Sequence, residues 1–408
     1  MDILFVHQNF PAQFVHVARA LKERPGLRLA VVTHKGNEQQ ETLPGARYGW
    51  ESKRAGSPHR IAENFALRSS QGHMAAKAMM ALRARGFDPK LIVGHLGWGE
   101  TLFAKDVFPD ATLVVHAEFF YSATGADVGF DPEFPNGGVD HLFELRAKNA
   151  AILAAMNDAD IAVAPTRWQA SRFPTYLQNK LNVVHEGIDT NRVRPDPAAT
   201  FHVAGTDLVF RPGDEVISFV NRNLEPYRGY HIFMRALPAI LAARPKAQAV
   251  IVGGDAVSYG GAPANGASWK DFFLAEVRER LPLPRVHFVN RIPFNDFVSL
   301  MQVTAAHIYL TYPFVLSWSM LQAMSAGAPL IASATSPVLE VVEDGVNGLV
   351  VDFFAVETLA QRVVDVLARP QDYADMRSAA RRTVVEKFDL SSLCLPRWLE
   401  ILGNPGAD

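Results

Sequence analysis

The stretch "VISFVNRNLEPYRGYHIFMRAL" (residues 216–237) shows the pattern that decides the fold of this chain. A short apolar run, 216–221, leads into a polar loop and then into a pattern typical of a helix. A strand that is apolar on both faces belongs to a parallel sheet covered by helices. The stretch therefore predicts a βα unit whose two arginines follow the strand, where open parallel sheets bind ligands.

Similar apolar runs recur along the whole chain and alternate with helical patterns. In the first half they lie at residues 3–7, 27–33, 91–96, 112–118, 160–166 and 181–187, and in the second half at 216–221, 249–254, 286–290, 307–312, 329–334 and 348–353. This alternation predicts an α/β fold with two doubly wound Rossmann-like domains that face a cleft. We place the N-terminal domain at 1–195 and the C-terminal domain at 196–388, with 189–215 as a linker region.

Composition excludes several classes of protein. A net charge of −2 over 408 residues argues against a nucleic-acid partner, which would require a basic excess. The single Cys394 rules out an internal disulfide and fits a reducing compartment. The start "MDILFVHQNF" lacks a basic leader, and the uncharged stretch 297–339 is interrupted by polar residues and proline. We therefore expect a cytoplasmic protein without a transmembrane segment.

Two arginines and one histidine follow predicted strands. Arg222 and Arg228 precede a helix N-terminus, and two guanidiniums in that place suit a diphosphate. The alternative is a surface arginine pair that Glu225 neutralises. His116 ends a strand of the first half, where it is either a structural hydrogen-bonding group or a contact for a substrate hydroxyl. Without a Cys/His ligand cluster, we expect no metal site.

Two helix starts could bind an anion through backbone amides. In "TYPFVLSWSMLQAMSAGAP" (311–329), Ser317 or Ser319 can cap a helix whose amides at Ser319, Met320 and Leu321 would then face a ligand. A fully buried crossover explains the missing charges equally well. A second helix starts near Pro11 and offers the amides of Ala12 and Gln13.

Several motifs together resemble one enzyme family. They include "NRNLEPYRG", "VIVGG", "VHFVNRIP", "YPFVLSWSMLQAMSAGAPLIAS" and "PVLEVVEDGVNGLVV" in the second half, and "HQNFPAQF", "GADVGFDPEFP", "APTRWQASRFP" and "VVHEGIDT" in the first. The chain resembles family 4 retaining glycosyltransferases of the B-type, two-Rossmann fold, in a bacterial branch with an N-terminal HQNFPAQF motif. The resemblance implies transfer of a sugar from a nucleotide sugar, often during assembly of cell-surface polysaccharide.

The resemblance also implies a role for each candidate residue. Arg222 and Arg228 would hold the donor diphosphate in place of a metal, His116 would contact the donor sugar, and these three would be the catalytic residues. The segment that cradles the base corresponds to Asn290, Arg291 and Ile292. The loop over the sugar corresponds to Val315, Leu316, Ser317 and Trp318, and the amides on the phosphate to Ser319, Met320 and Leu321. Glu340 would support the donor, and the helix 389–408 would pack back on the first domain.

The chain departs from the family at several of these positions. The family signature is a glutamate, seven residues and a second glutamate, and here Phe314 and Gln322 occupy those positions. Glutamate at the second position normally binds both ribose hydroxyls, and a neutral amide with one acceptor oxygen should weaken that contact by about 1–3 kcal/mol. Val315, Ser317 and Ala12 stand where smaller residues are common. These departures question the identity of the donor.

The sequence thus predicts a metal-independent, retaining glycosyltransferase that needs no cofactor and uses a UDP-, GDP- or other nucleotide-sugar donor. The acceptor would be a glycan or a lipid-linked molecule. The alternatives are a degenerate nucleotide-sugar-binding relative and a nucleotide-sugar epimerase or hydrolase on the same fold. The region 44–86 carries eight Lys/Arg against two Asp/Glu. It is either a solvated face or a peripheral contact with the inner face of the membrane.

Overall fold

The computed structural model describes residues 1–37, 43–49, 59–135, 138–263 and 266–406. The chain forms two compact units, one made of Met1–Gly187 with Leu390–Asp408 and the other of Ile188–Asp389. The predicted boundary at residue 195 lies inside the second unit. The reason is that Ser325 Oγ and Arg381 Nη1 donate to the carbonyl oxygen of Val193 at 2.5 and 3.2 Å.

The first unit contains a parallel sheet with strand order β3-β2-β1-β4-β5-β6-β7. The strands are β1 (Asp2–Val6), β2 (Arg28–His34), β3 (Arg47–Tyr48), β4 (Pro89–His95), β5 (Thr112–His116), β6 (Ile161–Ala164) and β7 (Leu181–Val183). The helices before β7 are α1 (Val15–Lys22), α2 (Glu63–Arg83), α3 (Ala104–Val107), α4 (Val139–Asp158) and α5 (Arg167–Ser171).

The second unit repeats this plan with strand order β12-β11-β10-β13-β14-β15, after a two-stranded antiparallel pair. The strands are β8 (Phe201–His202), β9 (Val209–Phe210), β10 (Val216–Asn223), β11 (Gln248–Gly254), β12 (Val286–Phe288), β13 (Ala306–Tyr309), β14 (Leu330–Ser333) and β15 (Leu349–Val351). The helices are α6 (Tyr230–Ala243), α7 (Trp269–Val277), α8 (Phe294–Val303), α9 (Trp318–Ala326), α10 (Ser336–Leu339), α11 (Val356–Ala368) and α12 (Ala374–Phe388).

Both sheets have the order expected of a doubly wound fold, in which the chain reverses direction across the sheet beside its first strand. The predicted α/β fold with two Rossmann-like domains is confirmed, and each of the apolar runs given above overlaps a strand. Their side chains are buried because helices cover both faces of the sheet, as Ile3 and Phe5 of β1 and Ile217 and Phe219 of β10 illustrate.

The predicted linker 189–215 is not a linker. It carries β8 and β9, and its Phe201, Val203 and Phe210 are buried in the core of the second unit. Strands of two residues leave almost no periodic pattern, which is why the sequence did not reveal these two or β3.

The C-terminal segment belongs to the first unit. A short π-helical turn, Leu390–Cys394, leads into α13 (Leu395–Ile401). The indole of Trp398 on α13 is buried, donates to the carbonyl oxygen of His185 at 3.2 Å and packs edge-on against Phe14. Among the residues that the structure describes, no helix is long and apolar enough to cross a membrane.

Candidate functional site

The loop between β13 and α9 in the second unit is held by specific hydrogen bonds. The hydroxyl of Tyr309, the last residue of β13, accepts from the backbone amide of Ser317 at 2.9 Å. Ser317 is the N-cap of α9, and Gly327 ends that helix in the left-handed conformation with φ of 78°. The predicted cap and stop are therefore confirmed, and Ser317 rather than Ser319 is the capping residue.

The first-turn amides of α9 are less available than the sequence suggested. The amide of Ser319 donates to Ser317 Oγ at 3.3 Å, and the amide of Met320 donates to the Ser317 carbonyl oxygen at 3.3 Å. The side chains of Leu316, Met320 and Leu321 lie in the hydrophobic core. An anion at this helix start must therefore compete with the serine cap for the amide of Ser319.

Arg228 is buried beneath the same loop, with only 6 % of its surface exposed. Its Nη1 donates to Thr311 Oγ1 at 2.7 Å and to the carbonyl oxygen of Val315 at 3.0 Å. The guanidinium also lies over the rings of Tyr259 and Phe314, at 5.2 and 5.9 Å from their centroids. Arg228 therefore ties the turn after β10 to the loop after β13.

Glu225 binds the backbone and also attracts the nearby Arg228. Its Oε2 accepts from the amides of Ser258 and Tyr259 at 3.1 and 3.2 Å, and burial raises the pKa of its carboxyl. Tyr227 lies 5.6 Å from Phe314 and 5.9 Å from Tyr259, ring centroid to centroid. Phe314, in the first signature position, is thus packed within an aromatic cluster.

The base-cradling candidates lie beside the end of β11. A Cβ on Gly254 would stand 3.5 Å from the Arg222 carbonyl oxygen and 3.7 Å from Arg291 Nε, so both residues border this glycine. Asn290 adopts φ of 50°, which asparagine tolerates better than most residues, and its carbonyl oxygen accepts from Gly253 at 2.9 Å. Arg222, Asn290 and Arg291 are exposed, and Ile292 is half-buried.

The remaining candidates of the second unit lie farther along the chain. Trp318 and Gln322 are half-buried on α9, and Glu340 is exposed directly after α10. Within the described part of the chain, no hydrogen bond joins Gln322 to Arg222 or Arg228. Arg228 thus hydrogen-bonds to Val315, and Arg222 and Arg291 both lie next to Gly254. Gln322 lies on α9, after β13, and Glu340 follows α10, after β14.

In the first unit, the ring of His116 is enclosed by other side chains. Its Nε2 lies 2.6 Å from Glu186 Oε1. The ring stacks on His95 at 5.3 Å and on Trp398 at 6.3 Å and meets Phe14 edge-on. Its Nδ1 is buried and has no hydrogen-bond partner in the described residues. This environment is that of a structural histidine, and Nδ1 is the atom left for a ligand.

A carboxylate that the sequence analysis missed lies two residues after His116. Glu118 Oε1 accepts from Gln13 Nε2 at 3.0 Å, and Glu118 Oε2 lies 3.6 Å from His95 Nε2. About a quarter (27 %) of the Glu118 side chain is exposed, so the group is held by neighbours and still reaches solvent. The motif "HAEFFYS" (116–122) contains it, but only the fold brings Gln13 to it.

The protonation of this cluster follows from its contacts. Burial lowers the pKa of His95 and His185, and the Nδ1 of each accepts a backbone amide, so each neutral ring carries its proton on Nε2. Burial acts to raise the pKa of Glu118 and Glu186, but the neighbouring histidines outweigh it and hold each at about 2. Both carboxylates are ionised near neutral pH.

The other candidates of the first unit lie at the turn before α1. Pro11 precedes a 3₁₀ turn, Ala12–Phe14, in which Ala12 has φ of 39°. The carbonyl oxygen of Pro11 accepts from Phe14 at 2.8 Å. The side chain of Gln13 in this turn donates to Glu118. Gln13 therefore contributes its side chain to the candidate site, in addition to the backbone amide that the sequence suggested.

The basic region 44–86 is described only in part, because residues 50–58 lie outside the described residues. Lys77 and Arg85 are exposed on and after α2. Arg83 donates through Nη1 to the carbonyl oxygen of Val107 at 2.9 Å, which gives it a role within the unit. Contact of this face with a membrane stays a prediction.

Comparison with known proteins gives two family matches. Residues 25–193 match the glycosyl transferase family 4 group, and residues 207–383 match glycosyl transferases group 1. Each match falls largely within one of the two units described above.

Curated relatives share about a quarter of their aligned residues with this chain. A GDP-mannose-dependent alpha-(1-6)-phosphatidylinositol monomannoside mannosyltransferase of Mycolicibacterium smegmatis is 26% identical over 251 residues, 60% of this chain and 62% of the relative. A D-inositol 3-phosphate glycosyltransferase of Segniliparus rotundus is 25% identical over 220 residues, 52% of this chain and 46% of the relative. The chain thus spans about half the length of the curated relatives that it matches.

Among solved structures, HepE from Anabaena in complex with UDP has the same fold. Its TM-score is 0.67 at 18% sequence identity, with 99% of this chain and 100% of that chain covered. The fold and the two family matches connect this chain to the two-Rossmann glycosyltransferases, through the family 4 group in residues 25–193 and group 1 in residues 207–383.

Proposed function

We propose that this protein is a retaining glycosyltransferase that moves a sugar from a nucleotide sugar to a glycan or lipid-linked acceptor in bacterial glycoconjugate synthesis. The observation that carries the proposal is the buried Arg228 at the carboxyl end of the second sheet. Its guanidinium donates to Thr311 and Val315. Arg222 lies exposed near the end of β10, the strand that precedes the turn of Arg228. Such fixed charge suits a leaving diphosphate.

In the second unit, the donor is bound by side chains and by backbone. Arg222 and Arg228 stabilise the charge on the diphosphate without a requirement for metal, and the start of α9 adds its dipole. The turn at Asn290–Ile292 binds the base, and the loop Val315–Trp318 covers the sugar. Gln322 hydrogen-bonds to the ribose hydroxyls. Glu340 supports the donor from the segment after β14.

In the first unit, Glu118 binds the acceptor hydroxyl. Its Oε1 is held by Gln13, its Oε2 lies 3.6 Å from His95 Nε2, and the partly exposed carboxylate can accept a hydrogen bond from that hydroxyl. The acceptor oxygen forms the new bond to the anomeric carbon as the bond to phosphate breaks, and the acceptor proton passes to the departing phosphate oxygen. His116 keeps the adjoining strand end in place through Glu186.

The proposal is tested with a panel of nucleotides and nucleotide sugars. We expect one of UDP, GDP, ADP and dTDP to raise the melting temperature, because a ligand stabilises the state that binds it. With the matching nucleotide sugar and extracted acceptors, mass spectrometry should detect transfer, and NMR should show a retained anomeric configuration. A protein that binds none of these nucleotides and consumes none of their sugars contradicts the proposal.

Incubation with the donor alone separates the alternatives. A nucleotide-sugar epimerase would produce an epimer, and a hydrolase would release free sugar as fast as it releases nucleotide. A binding protein without catalysis would retain the donor unchanged in the presence of every acceptor. The transferase predicted here turns over the donor fastest when an acceptor is present.

A further inference from the structure

Two cationic side chains lie on aromatic rings at the carboxyl edge of the first sheet. The Cζ of Arg68, on α2, is 5.0 Å from the ring centroid of Trp98, which follows β4. The Nζ of Lys148, on α4, is 3.3 Å from the ring centroid of Tyr121, which follows β5. Strands β4 and β5 are paired, and α2 and α4 pack on each other and on the turn Leu96–Trp98, so both cations lie in one region.

Most of the hydrogen-bond donors of these two groups are unused. A guanidinium has five N–H donors and an ammonium has three. In the described part of the chain, Arg68 makes one hydrogen bond, from Nη1 to Gln71 Oε1 at 3.3 Å, and Lys148 makes none. Both side chains are half-buried, so water reaches their donors only in part.

The nearby acids compensate this positive charge only in part, although Glu100 attracts Arg68. Glu100 is buried and its Oε1 accepts from Tyr48 at 2.9 Å and from Gln71 at 3.3 Å. Burial raises the pKa of Glu100 to about 7. Burial also lowers the pKa of Lys148 to about 8, and this exceeds the opposing attraction of Asp127, while Arg68 repels the ammonium.

We propose that Arg68 and Lys148 form a binding site for a phosphate group on the acceptor. Arg68 can fork onto two phosphate oxygens, and the ammonium of Lys148 can donate to a third. Trp98 and Tyr121 hold the two cations and offer ring faces to the sugar that carries the phosphate. The proposal rests on the proposed function, since it assigns the first unit to the acceptor, and it excludes a wholly neutral acceptor.

Partial burial of the two cations favours binding of an anion. Two like charges, each removed in part from water, raise the free energy of the empty unit. A phosphate between them would replace this repulsion with two attractions. It would also accept hydrogen bonds from N–H groups of Arg68 and Lys148 that water reaches only in part. The phosphate can belong to a soluble sugar phosphate or to a lipid headgroup, because the two share the chemistry that these side chains recognise.

The first experiment follows the indole signals of the full-length protein by NMR during titration with inorganic phosphate. Trp98 is one of six tryptophans, and a Trp98→Phe variant assigns its signal. Titration in an Arg222→Met background reduces binding in the second unit. We expect phosphate to shift the Trp98 signal, with an affinity that Arg68→Met with Lys148→Met lowers about tenfold or more.

Arg146 supplies the matched control, since it is an exposed cation on α4, the helix that carries Lys148. Arg146→Met should leave phosphate affinity unchanged, and Lys148→Arg should retain most of it. If the double variant does not fold, Lys148→Met is compared with Lys148→Arg. Equal phosphate affinity in wild type and the neutral variants, or an unmoved Trp98 signal, overturns the proposal.

A second set of titrations identifies the source of the phosphate. Glucose 6-phosphate that binds where glucose does not indicates a soluble acceptor. Vesicles of phosphatidylcholine with phosphatidylinositol that bind where pure phosphatidylcholine vesicles do not, and that lose binding in Lys148→Met, indicate a lipid headgroup. Nucleotide binding is measured in the same variants. If wild type binds no nucleotide but phosphate still shifts the Trp98 signal, the proposed transferase function is rejected. The phosphate site is then retained.

Discussion

Arg228 Nη1 lies 2.7 Å from Thr311 Oγ1, and this hydrogen bond joins the turn after β10 to the loop after β13. The loop is joined to β14 as well, since the amide of Thr311 donates to Ser333 Oγ at 3.0 Å. The charge proposed to bind the diphosphate is therefore also a structural element of the second unit. Arg222 is exposed near the end of β10, and its side chain makes no hydrogen bond among the residues that the structure describes.

This difference predicts that replacing either arginine lowers donor affinity, whereas only the replacement of Arg228 lowers the melting temperature. Arg222→Met should lower affinity for the donor nucleotide about tenfold and leave the melting temperature unchanged, because an exposed guanidinium is removed. Arg228→Met should lower both, with a fall in melting temperature of roughly 5–15 °C from loss of its buried hydrogen bonds. Calorimetry and nucleotide titration of both variants check this. Equal melting temperatures for the two variants would contradict it.

Gln322→Glu should raise affinity for the donor nucleotide. A carboxylate accepts from both ribose hydroxyls, whereas the amide has one acceptor oxygen, so the expected gain is about tenfold. Gln371→Glu, exposed in the same unit, adds the same charge away from α9 and should change nothing. Isothermal titration with the nucleotide measures both. No gain in Gln322→Glu would remove Gln322 from the ribose site.

Glu118→Gln should slow sugar transfer about 10–100-fold without changing nucleotide affinity, because an ionised acceptor of a hydrogen bond is lost. The rate is measured at saturating donor with the acceptor that the screen identifies. Glu23→Gln removes an exposed carboxylate of the same unit and should transfer at the wild-type rate. A variant at Glu118 that transfers normally would show that this carboxylate does not bind the acceptor.

Glu186, whose carboxylate is stabilised by His185 and His116, predicts a stability that depends on acid pH. The folded-state pKa of Glu186, about 2, lies below its ordinary value of 4.5. A lowered carboxyl pKa stabilises the fold above about pH 4.5, and the contribution of about 3 kcal/mol is lost as the pH falls toward 2. The melting temperature of wild type should therefore fall across this range more steeply than that of Glu186→Gln.

The measurement is a series of thermal melts between about pH 6 and 2, with both proteins in the same buffers. Glu118 titrates in the same range and remains in both proteins, so it does not contribute to their difference. Parallel curves for wild type and Glu186→Gln would show that Glu186 keeps an ordinary pKa in the folded protein.

The α/β class and most strand positions follow from the sequence alone, since apolar runs of four to eight residues separated by helical patterns carry a local period. The sequence also narrowed the cap to Ser317 or Ser319 and located the stop at Gly327, because both are properties of a few consecutive residues. It failed at β8 and β9, which are too short to show a pattern, and it placed a linker there.

Which candidate side chains meet depends on the tertiary fold. The hydrogen bonds from Gln13 to Glu118, from His116 to Glu186 and from Arg228 to Val315 each join residues far apart in the chain. The order of the strands in each sheet brings them together, and no local pattern records that order. For the same reason the sequence left open whether His116 is a structural group or a ligand contact, and only the fold shows that its ring stacks on Trp398 of α13 while Glu118 stays partly exposed.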